Sequence, residues 1–348
     1  MNLVREQDLQ QILSKIPYEK CEGKTFLISG ANGFLARYMA DTLMYLKKKG
    51  YVQKCTVIAL CRNRRKAERV FEEWLTDEDF HLMIQPVEKK IDYAGNIDYL
   101  IHAASSSQTN IAQLYPVDIM EANIIGSYNM LELAREKKVE SFLFFSSGAA
   151  YGDVDEYELR EDKTYNMDYL NMKNSYAVGK RTGEALCRAY WQQYLVPAKG
   201  VRIGHTYGPG IDLEDGHVYS DFAKSIIEYK DLIIKGDGTA CRPFCYVSDA
   251  VCAFFLILLK GQNGEIYNMV NPKMNVSIKE LADLLVERVF PDRGLRVVVK
   301  KPATGKSVQK LHVSTTKLGN LDWDPKIDLD EGFRRLVRSE ELEQKLGS

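Results

Sequence analysis

Short apolar runs alternate with helix-length amphipathic segments along the first two hundred residues, and this alternation restricts the fold more than any other feature of the chain. Nearly continuous apolar runs are typical of strands that are buried on both faces of a parallel sheet. We therefore predict an α/β fold with a doubly wound parallel sheet, whose ligand binds beyond the carboxyl ends of the strands. The predicted strands are 24–29, 55–60, 97–103, 141–145 and 198–203, with a helix ending near 49 and helices over 119–134 and 175–194.

The 348 residues are many for a single hydrophobic core, so we expect two parts and a short extension. Residues 1–22 are predicted as an amphipathic helical extension, and 23–207 as the domain that holds the sheet. After Gly208-Pro209 the pattern loosens into short apolar runs and glycine turns, with helices near 221–230, 249–260 and 277–289. We expect 208–348 to form mainly a smaller, mixed α/β substrate-binding lobe, with some segments returning to the first domain.

Composition argues against several classes of partner. The net charge of −1 provides no general attraction to nucleic acid or to anionic membranes. The longest apolar run, 251–259, is far shorter than the roughly 20 residues needed to span a bilayer. The seven cysteines include no CxxC pair, so we expect free thiols, a cytoplasmic location and no metal site.

The first predicted strand is followed directly by the glycine-rich segment GANGFLA, residues 30–36, which opens a helix. Glycines at such a turn let a pyrophosphate approach the backbone, and the helix N-terminus supplies N–H donors and a favourable dipole. This position indicates a Rossmann-type domain that binds a dinucleotide, rather than an ordinary structural turn.

The choice between NAD and NADP depends on the end of the second strand. An NAD site usually has an acidic residue there, which holds the ribose hydroxyls. This chain has Cys61, Arg62 and Asn63 instead. Because a guanidinium is suited to a 2′-phosphate, the sequence favours NADP, with NAD still open.

Tyr176 and Lys180 lie four residues apart at the start of a predicted helix, so both side chains share one helix face. A nearby ammonium favours the phenolate and is expected to pull the pKa of the tyrosine below its usual value of about 10. Such a tyrosine can exchange a proton with a sugar hydroxyl while a hydride moves to a nicotinamide.

The same spacing occurs twice more, so the position in the fold has to decide between the three pairs. Tyr45 and Lys49 end the first helix, far from the expected ligand edge, and Tyr169 precedes a helix start and is expected in a loop. Only Tyr176 begins the helix that follows the strand ending in SSGAAYG, residues 146–152. We therefore predict Tyr176 and Lys180 as the catalytic pair.

With these pieces in place, the chain from about 24 to 335 resembles the extended short-chain dehydrogenase/reductases of the nucleotide-sugar epimerase/dehydratase group. The matching segments are GANGFLA, HAAS (102–105), ANIIGS around Asn123, SSGAAYG, YAVGK (176–180), RIGHTYGPG (202–210) and RPFCYVSDA (242–250).

The resemblance implies roles for residues at matching positions. Tyr176 acts as the base, Ser147 bonds the sugar hydroxyl, and Lys180 also holds the nicotinamide ribose. Besides Tyr176, Lys180, Arg62 and Asn63, the implied cofactor contacts are Gly30, Asn32, Gly33, Phe34, Leu35, Ala103, Ala104, Ser105 and Asn123. The implied substrate contacts are Ser106, Ser147, His205, Val218 and Arg242, with Arg242 on the diphosphate and Val218 in a segment resembling the covering loop of UDP-xylose synthases.

The chain shows three departures from the pattern of the group. Cys61 and Arg62 replace the expected acid, and Pro86 stands where an aspartate often contacts the adenine. His205 stands where an asparagine often contacts the substrate. The first two departures leave the cofactor open, and the third leaves the orientation of the sugar open.

The segment SSGAAYG also lacks the acids that related enzymes use for elimination or decarboxylation, because Gly148 and Ala149 occupy those two places. We therefore predict an NAD(P)-dependent nucleotide-sugar epimerase that acts through a 4-keto intermediate. The alternatives are a decarboxylase or 4,6-dehydratase with an acid from Glu121 or Asp153, a 4-reductase or dehydrogenase, and a non-catalytic dinucleotide-binding protein.

Assembly is also implied by the resemblance. In related proteins the helices corresponding to 114–137 and 175–194 pair across a two-fold axis. We therefore expect a homodimer.

Overall fold

The computed structural model describes residues 1–105, 114–154, 157–301 and 311–347. At its centre is a sheet of seven parallel strands. These are β1 (Lys24–Ser29), β2 (Cys55–Cys61), β3 (Phe80–Ile84), β4 (Tyr99–His102), β5 (Ser141–Ser147), β7 (Ala198–Ile203) and β11 (Ile266–Met269). Their spatial order is β11-β7-β5-β4-β1-β2-β3, so the chain starts in the middle and winds outwards in both directions.

Helices cover both faces of this sheet, because side chains alternate along each strand and both sets are apolar. In β1, Phe26 and Ile28 belong to one core cluster and Leu27 to the other. The helices of this domain are α2 (Phe34–Lys48), α3 (Arg64–Val70), α4 (Pro116–Lys137), α5 (Ser175–Tyr194) and α7 (Val247–Lys260). The predicted α/β, doubly wound fold is confirmed.

The predicted strand positions agree with the structure to within two residues at each end. The strands 24–29 and 198–203 and the helix 175–194 have the predicted bounds. The sequence pattern missed β3, in which only Phe80 is buried, His81 is exposed and the last three residues are partly buried. It also did not identify β11, a short strand from the second half of the chain that pairs with β7 at the sheet edge.

The remaining elements form a smaller lobe of short strands and helices. Its strands are β6 (Glu158–Leu159), β8 (His205–Tyr207), β9 (Leu232–Ile234), β10 (Cys241–Tyr246), β12 (Asn275–Ser277), β13 (Val297–Val299) and β14 (His312–Val313). They form small sheets with the orders β12-β10-β8, β13-β9 and β14-β6. The helices are α6 (Val218–Ile227), α8 (Ile278–Leu284), α9 (Thr316–Gly319) and α10 (Leu329–Gly347).

The N-terminal segment forms helix α1 (Leu3–Leu13), which packs against α2, α7 and α10. Asp8 on α1 is buried and accepts hydrogen bonds from Tyr38, Tyr246 and Arg335, and Arg5 forms a buried ion pair with Asp41. These bonds connect α1 to helix α2 of the sheet domain and to β10 and α10 of the smaller lobe. Among the helices of the described segments, none combines the length and the apolarity of a membrane span.

Candidate functional site

The carboxyl ends of β1, β2, β4 and β5 lie side by side, and the predicted site residues gather around them. In the strand register Ser29 at the end of β1 pairs with Leu60 of β2 and with His102 of β4. β5 extends three residues beyond its pairing with β4, as far as Ser147. Helix α5, which carries Tyr176 and Lys180, packs against β5.

The glycine loop fits a dinucleotide pyrophosphate. Gly30 has φ +65°, and a Cβ atom there would lie 2.7 Å from the Ala104 Cα, so only glycine lets the loop pass this close to the end of β4. Gly33 precedes α2, and within the described residues no side chain caps this helix. The first N–H groups of α2, at Phe34 and Leu35, therefore remain as donors for an anion.

The end of β4 is held to β1 by a small polar network that sequence reasoning missed. The Ser29 hydroxyl lies 2.8 Å from His102 Nδ1 and accepts hydrogen bonds from the backbone N–H groups of Ala103 and Ala104. Burial, together with the Lys180 charge, lowers the pKa of His102 to about 3, so this imidazole is neutral. The serine hydroxyl at the end of β1 is the feature of the sequence that could have indicated this network.

Asn123 joins the end of β4 to the helices. Its amide donates to Ser105 Oγ at 3.0 Å and to the Ile119 carbonyl at 2.7 Å. Its Cβ packs against α5 at Gly179, where an added Cβ would lie 2.8 Å away. Its buried Oδ1 has no hydrogen-bond partner in the described part of the chain. Ser106, predicted to contact the substrate, lies outside the described residues.

Ser147, Tyr176 and Lys180 come together at the end of β5. The Ser147 hydroxyl lies close enough to the Tyr176 phenol to favour its ionised form. The Lys180 ammonium lies 5.6 Å from the centre of the Tyr176 ring and donates to the Phe145 carbonyl at 2.6 Å. The other two tyrosine–lysine pairs lie elsewhere: Tyr45 contacts α1, and Tyr169 is an exposed loop residue.

The pKa values of this group differ from the prediction in one respect. Burial raises the pKa of Tyr176, and the hydrogen bond with Ser147 opposes this without reversing it. Burial lowers the pKa of Lys180 to about 7, while the Glu184 carboxylate opposes the shift. The prediction that the lysine pulls the tyrosine pKa below its usual value is therefore wrong for the protein chain by itself, because burial has the larger effect.

The end of β2 offers a basic rather than an acidic side chain. Burial raises the pKa of Cys61 to about 11, with backbone N–H groups of Asn32 and Ala31 directed at its sulfur. Arg62 is exposed and forms no ion pair with any described residue. The Asn63 side chain caps α3 by accepting from the Lys66 N–H at 2.9 Å. Arg62 is thus the one predicted residue here whose side chain is free for a ligand.

A second group of predicted residues lies on the smaller lobe. His205 on β8 pairs with Phe244 on β10, the strand that carries the exposed Arg242. Burial, and then the charges of Arg242 and His217, lower the pKa of His205 to about 3. His217 directly precedes Val218, the first residue of α6, and was not predicted. The effect of both charges on His205 indicates that these basic groups lie near one another.

The turn at Gly148–Tyr151 follows Ser147 and supplies no acid. Gly148 and Ala149 are exposed, and the Ser147 hydroxyl accepts from the Ala149 N–H at 3.2 Å. The two acids considered as substitutes, Glu121 and Asp153, are also exposed. Across the described ranges, neither carboxylate has a hydrogen bond to Ser147 or Tyr176. The same ranges contain no group of three histidine, cysteine, aspartate or glutamate side chains that could hold a metal ion.

A glycine loop after β1 and a Ser/Tyr/Lys group at the end of β5 define a short-chain dehydrogenase/reductase. The chain belongs to the NAD dependent epimerase/dehydratase family, whose model matches residues 26–270. It is therefore a member of a family of enzymes that includes nucleotide-sugar epimerases, dehydratases and decarboxylases.

Individual relatives agree with this assignment. The chain is 28% identical to UDP-glucuronic acid decarboxylase 6 of Arabidopsis thaliana over 321 residues, covering 92% of this chain and 89% of the relative. It is 30% identical to UDP-glucuronic acid decarboxylase 1 of the same plant, over 89% of this chain and 68% of the relative. The fold matches UDP-glucose 4-epimerase of Thermotoga maritima, with a TM-score of 0.76, 24% identity and coverage of 92% and 99%.

Proposed function

We propose that this protein is an NAD(P)-dependent nucleotide-sugar epimerase that inverts a sugar carbon, most simply C4, through a 4-keto intermediate. The observation that carries the proposal is the arrangement at the end of β5. Ser147, Tyr176 and Lys180 meet there, while the following positions, Gly148 and Ala149, provide no group that could move a second proton.

In this proposal Tyr176 removes the proton from the sugar 4-hydroxyl, and Ser147 orients that hydroxyl through its own hydrogen bond. A nicotinamide dinucleotide, which the glycine loop and Lys180 would hold, would supply reversible hydride transfer at C4. Rotation of the ketone within the site would present its opposite face, and Tyr176 would then return the proton to the C4 oxygen. Carbon skeleton and oxidation level are unchanged, and no further acid is required.

The diphosphate of the substrate is assigned to the basic group on the smaller lobe. Arg242 is exposed, and its only hydrogen bond to a described residue goes to the neighbouring Cys241 carbonyl. A guanidinium in this state can form charge-assisted bonds with phosphate oxygens. His205 and Val218 lie on the neighbouring elements β8 and α6 and are assigned to the same ligand.

For the cofactor, the proposal favours NADP over NAD. The supporting observation is Arg62, an exposed arginine without an ion-pair partner in the described segments, at the place where an NAD site usually has an acid. Cys61, its neighbour, is buried with a raised pKa and cannot replace that acid.

Decarboxylation of UDP-glucuronate is the second candidate. It is favoured by the relatives, since UDP-glucuronic acid decarboxylases of Arabidopsis match about nine-tenths of the chain. The same oxidation at C4 would produce a β-keto acid that loses carbon dioxide. The resulting enolate would then require a proton at C5, for which residues 148 and 149 offer no donor.

Product mass separates the two candidates. The purified enzyme is incubated with UDP-, dTDP-, CDP- and GDP-sugars, including UDP-glucuronate, and products are followed by mass spectrometry and proton NMR. We expect an isomer of unchanged mass without added dinucleotide. A loss of about 44 or 18 mass units, for carbon dioxide or water, would contradict the proposal, as would consumption of stoichiometric dinucleotide.

We also propose a homodimer built on α4 and α5, which pack against each other. Ile125, Tyr128 and Tyr194 on these helices expose 44%, 51% and 48% of their surface, and together they favour an apolar interface. Sedimentation at micromolar concentration is expected to show a dimer, and Tyr128→Glu a monomer. A wild-type monomer under these conditions would refute this proposal.

A further inference from the structure

A buried ion pair lies directly behind the proposed catalytic group. Glu184 follows Lys180 by one helical turn on α5, and its carboxylate accepts hydrogen bonds from the Arg202 guanidinium at 2.9 and 2.8 Å. The hydroxyl of Ser146, the neighbour of Ser147, donates to the same carboxylate. Glu184 and Arg202 are only 7% and 4% exposed. One carboxylate therefore joins α5, β5 and β7 where the catalytic residues are carried.

The turn after Ser147 is fixed to the same elements. The Arg202 guanidinium lies 4.2 Å from the centre of the Tyr151 ring. Arg181, on α5, donates to the carbonyls of Ala150 and Tyr151 at 2.9 and 2.8 Å. The substrate side of β5 and the helix that carries Lys180 therefore form one braced unit.

Glu184 lies on the same face of α5 as Lys180 and bonds Ser146, the residue after Phe145, whose carbonyl accepts from Lys180. The Glu184 carboxylate therefore acts on the Lys180 ammonium. Burial lowers the pKa of Lys180 to about 7, and the carboxylate opposes this because it stabilises the ammonium form. The titratable groups that face the two residues are few. For Lys180 they are Tyr176 on α5 and His102 on β4; for Glu184 they are Cys187 on α5 and Arg202 on β7.

We propose that Glu184 is a positioning residue of the reaction, which acts through Lys180 by holding its ammonium group charged and in place beside Tyr176. This inference rests on the proposed function, in which Lys180 serves Tyr176 and the nicotinamide ribose. Glu184 itself touches neither substrate nor cofactor in this arrangement.

The test follows the titration of Lys180 in the full-length protein with lysine labelled at Cε, read by carbon NMR. The Lys180 signal is the one that titrates near 7 and disappears in Lys180→Met. In Glu184→Gln the negative charge is lost, so the Lys180 pKa is expected to fall by about one unit or more. Glu184→Asp keeps the charge and is expected to restore most of the wild-type value.

Two internal controls separate this effect from a loss of structure. Lys199 is a second buried lysine, with a pKa lowered to about 8 by burial, and its signal is expected to stay unchanged. Asp41→Asn removes the carboxylate of the other buried ion pair, with Arg5, and is expected to destabilise the fold without moving the Lys180 signal. An unchanged Lys180 titration in Glu184→Gln, or an equal shift in Asp41→Asn, overturns the proposal.

Glu184→Gln leaves Arg202 buried without its partner, which can prevent folding. In that case the double variant Glu184→Gln/Arg202→Gln removes both charges. The Lys180 pKa is still expected to fall, but by less than in the single variant, because the repulsive Arg202 charge is lost as well. The titration requires no substrate, so its outcome is independent of the proposed function. Full turnover by Tyr176→Phe would refute the proposed function. It would not change the conclusion drawn from the Lys180 titration in Glu184→Gln.

Discussion

The two halves of the site differ in how far the protein chain has already organised them. At the ends of β4 and β5, the polar groups Asn123, Lys180 and Glu184 are buried, and each is held by a hydrogen bond to a neighbouring element. On the smaller lobe, Arg242 is exposed and bonds only a neighbouring carbonyl among the described residues. The first half is built for a fixed chemical step, and the second gains its contacts when a charged ligand arrives.

This contrast predicts different kinetic effects. A change in the buried half removes an interaction made in the transition state and lowers kcat. A change in the exposed half weakens ground-state binding and raises KM with little change in kcat. The following experiments test that division, beginning with the largest expected effect.

Tyr176→Phe removes the proposed proton carrier at the centre of the buried half. Turnover is expected to fall by about 10²–10⁴-fold, the usual contribution of a positioned acid–base group, with KM and the circular dichroism spectrum unchanged. Tyr169→Phe is the matched control, because Tyr169 has the same spacing to a lysine but is 69% exposed in a loop. Equal activity of the two variants would remove Tyr176 from the mechanism.

Gly30→Ala tests the close approach of the glycine loop to β4. Its Cβ would lie 2.7 Å from Ala104 Cα, and we expect about 1–3 kcal/mol of added destabilisation. The dinucleotide dissociation constant is expected to rise by about tenfold or more, measured by calorimetry. Gly50→Ala carries the same left-handed backbone strain, at φ +75°, but has no atom within 4 Å of the new Cβ. Similar losses of stability and dinucleotide affinity in both variants would mean that backbone strain alone causes the effect.

Arg242→Ala tests the exposed half. Loss of a charge-assisted bond to the diphosphate is expected to raise KM by about ten- to a hundredfold with kcat nearly unchanged. Arg296→Ala is the control, since Arg296 is another exposed arginine of this lobe and pairs with Asp231. A fall in kcat without a rise in KM would mean that Arg242 acts in the transition state, as the buried residues are expected to do. That outcome would contradict the division into two halves.

Arg62→Ala has the smallest expected effect and concerns the cofactor. Wild type is expected to bind NADP more tightly than NAD, and the variant to lose about tenfold in NADP affinity with NAD affinity unchanged. Arg64→Ala is the control. Arg64 lies two residues further along, at the start of α3, and already pairs with Glu68. Tighter binding of NAD by wild type would reverse the preference for NADP.

Several local features could be predicted because their cause lies within a few neighbouring residues. The apolar run of β1, the glycine turn after it and the tyrosine–lysine spacing on α5 are all of this kind. β3 was missed because the exposed His81 interrupts a run of only five residues. β11 was missed because a strand of four residues has too short a pattern to be recognised. His217 was not singled out, although its neighbour Val218 lies in the segment that resembles a covering loop, because the approach of His217 to His205 depends on how the lobe folds.

The pKa of Tyr176 shows where local reasoning fails. The spacing to Lys180 correctly placed the two side chains on one face, and it suggested a lowered tyrosine pKa. Burial by surrounding elements raises the pKa of Tyr176 instead, and the same burial lowers that of Lys180. Desolvation depends on everything packed around a group, which the spacing of two residues does not contain.

By itself, the sequence determined the α/β winding and the glycine turn after β1, and it singled out Ser147, Tyr176 and Lys180 as candidate catalytic residues, because each depends on periodicity or on a short motif. Only the tertiary structure decided which polar groups brace them. Ser29 meets His102, Asn123 meets Ser105, and Glu184 meets Arg202 across distances of 18 to 73 residues in the chain. Such pairs form because parallel winding brings distant strand ends to one edge, where burial makes each polar group depend on a partner.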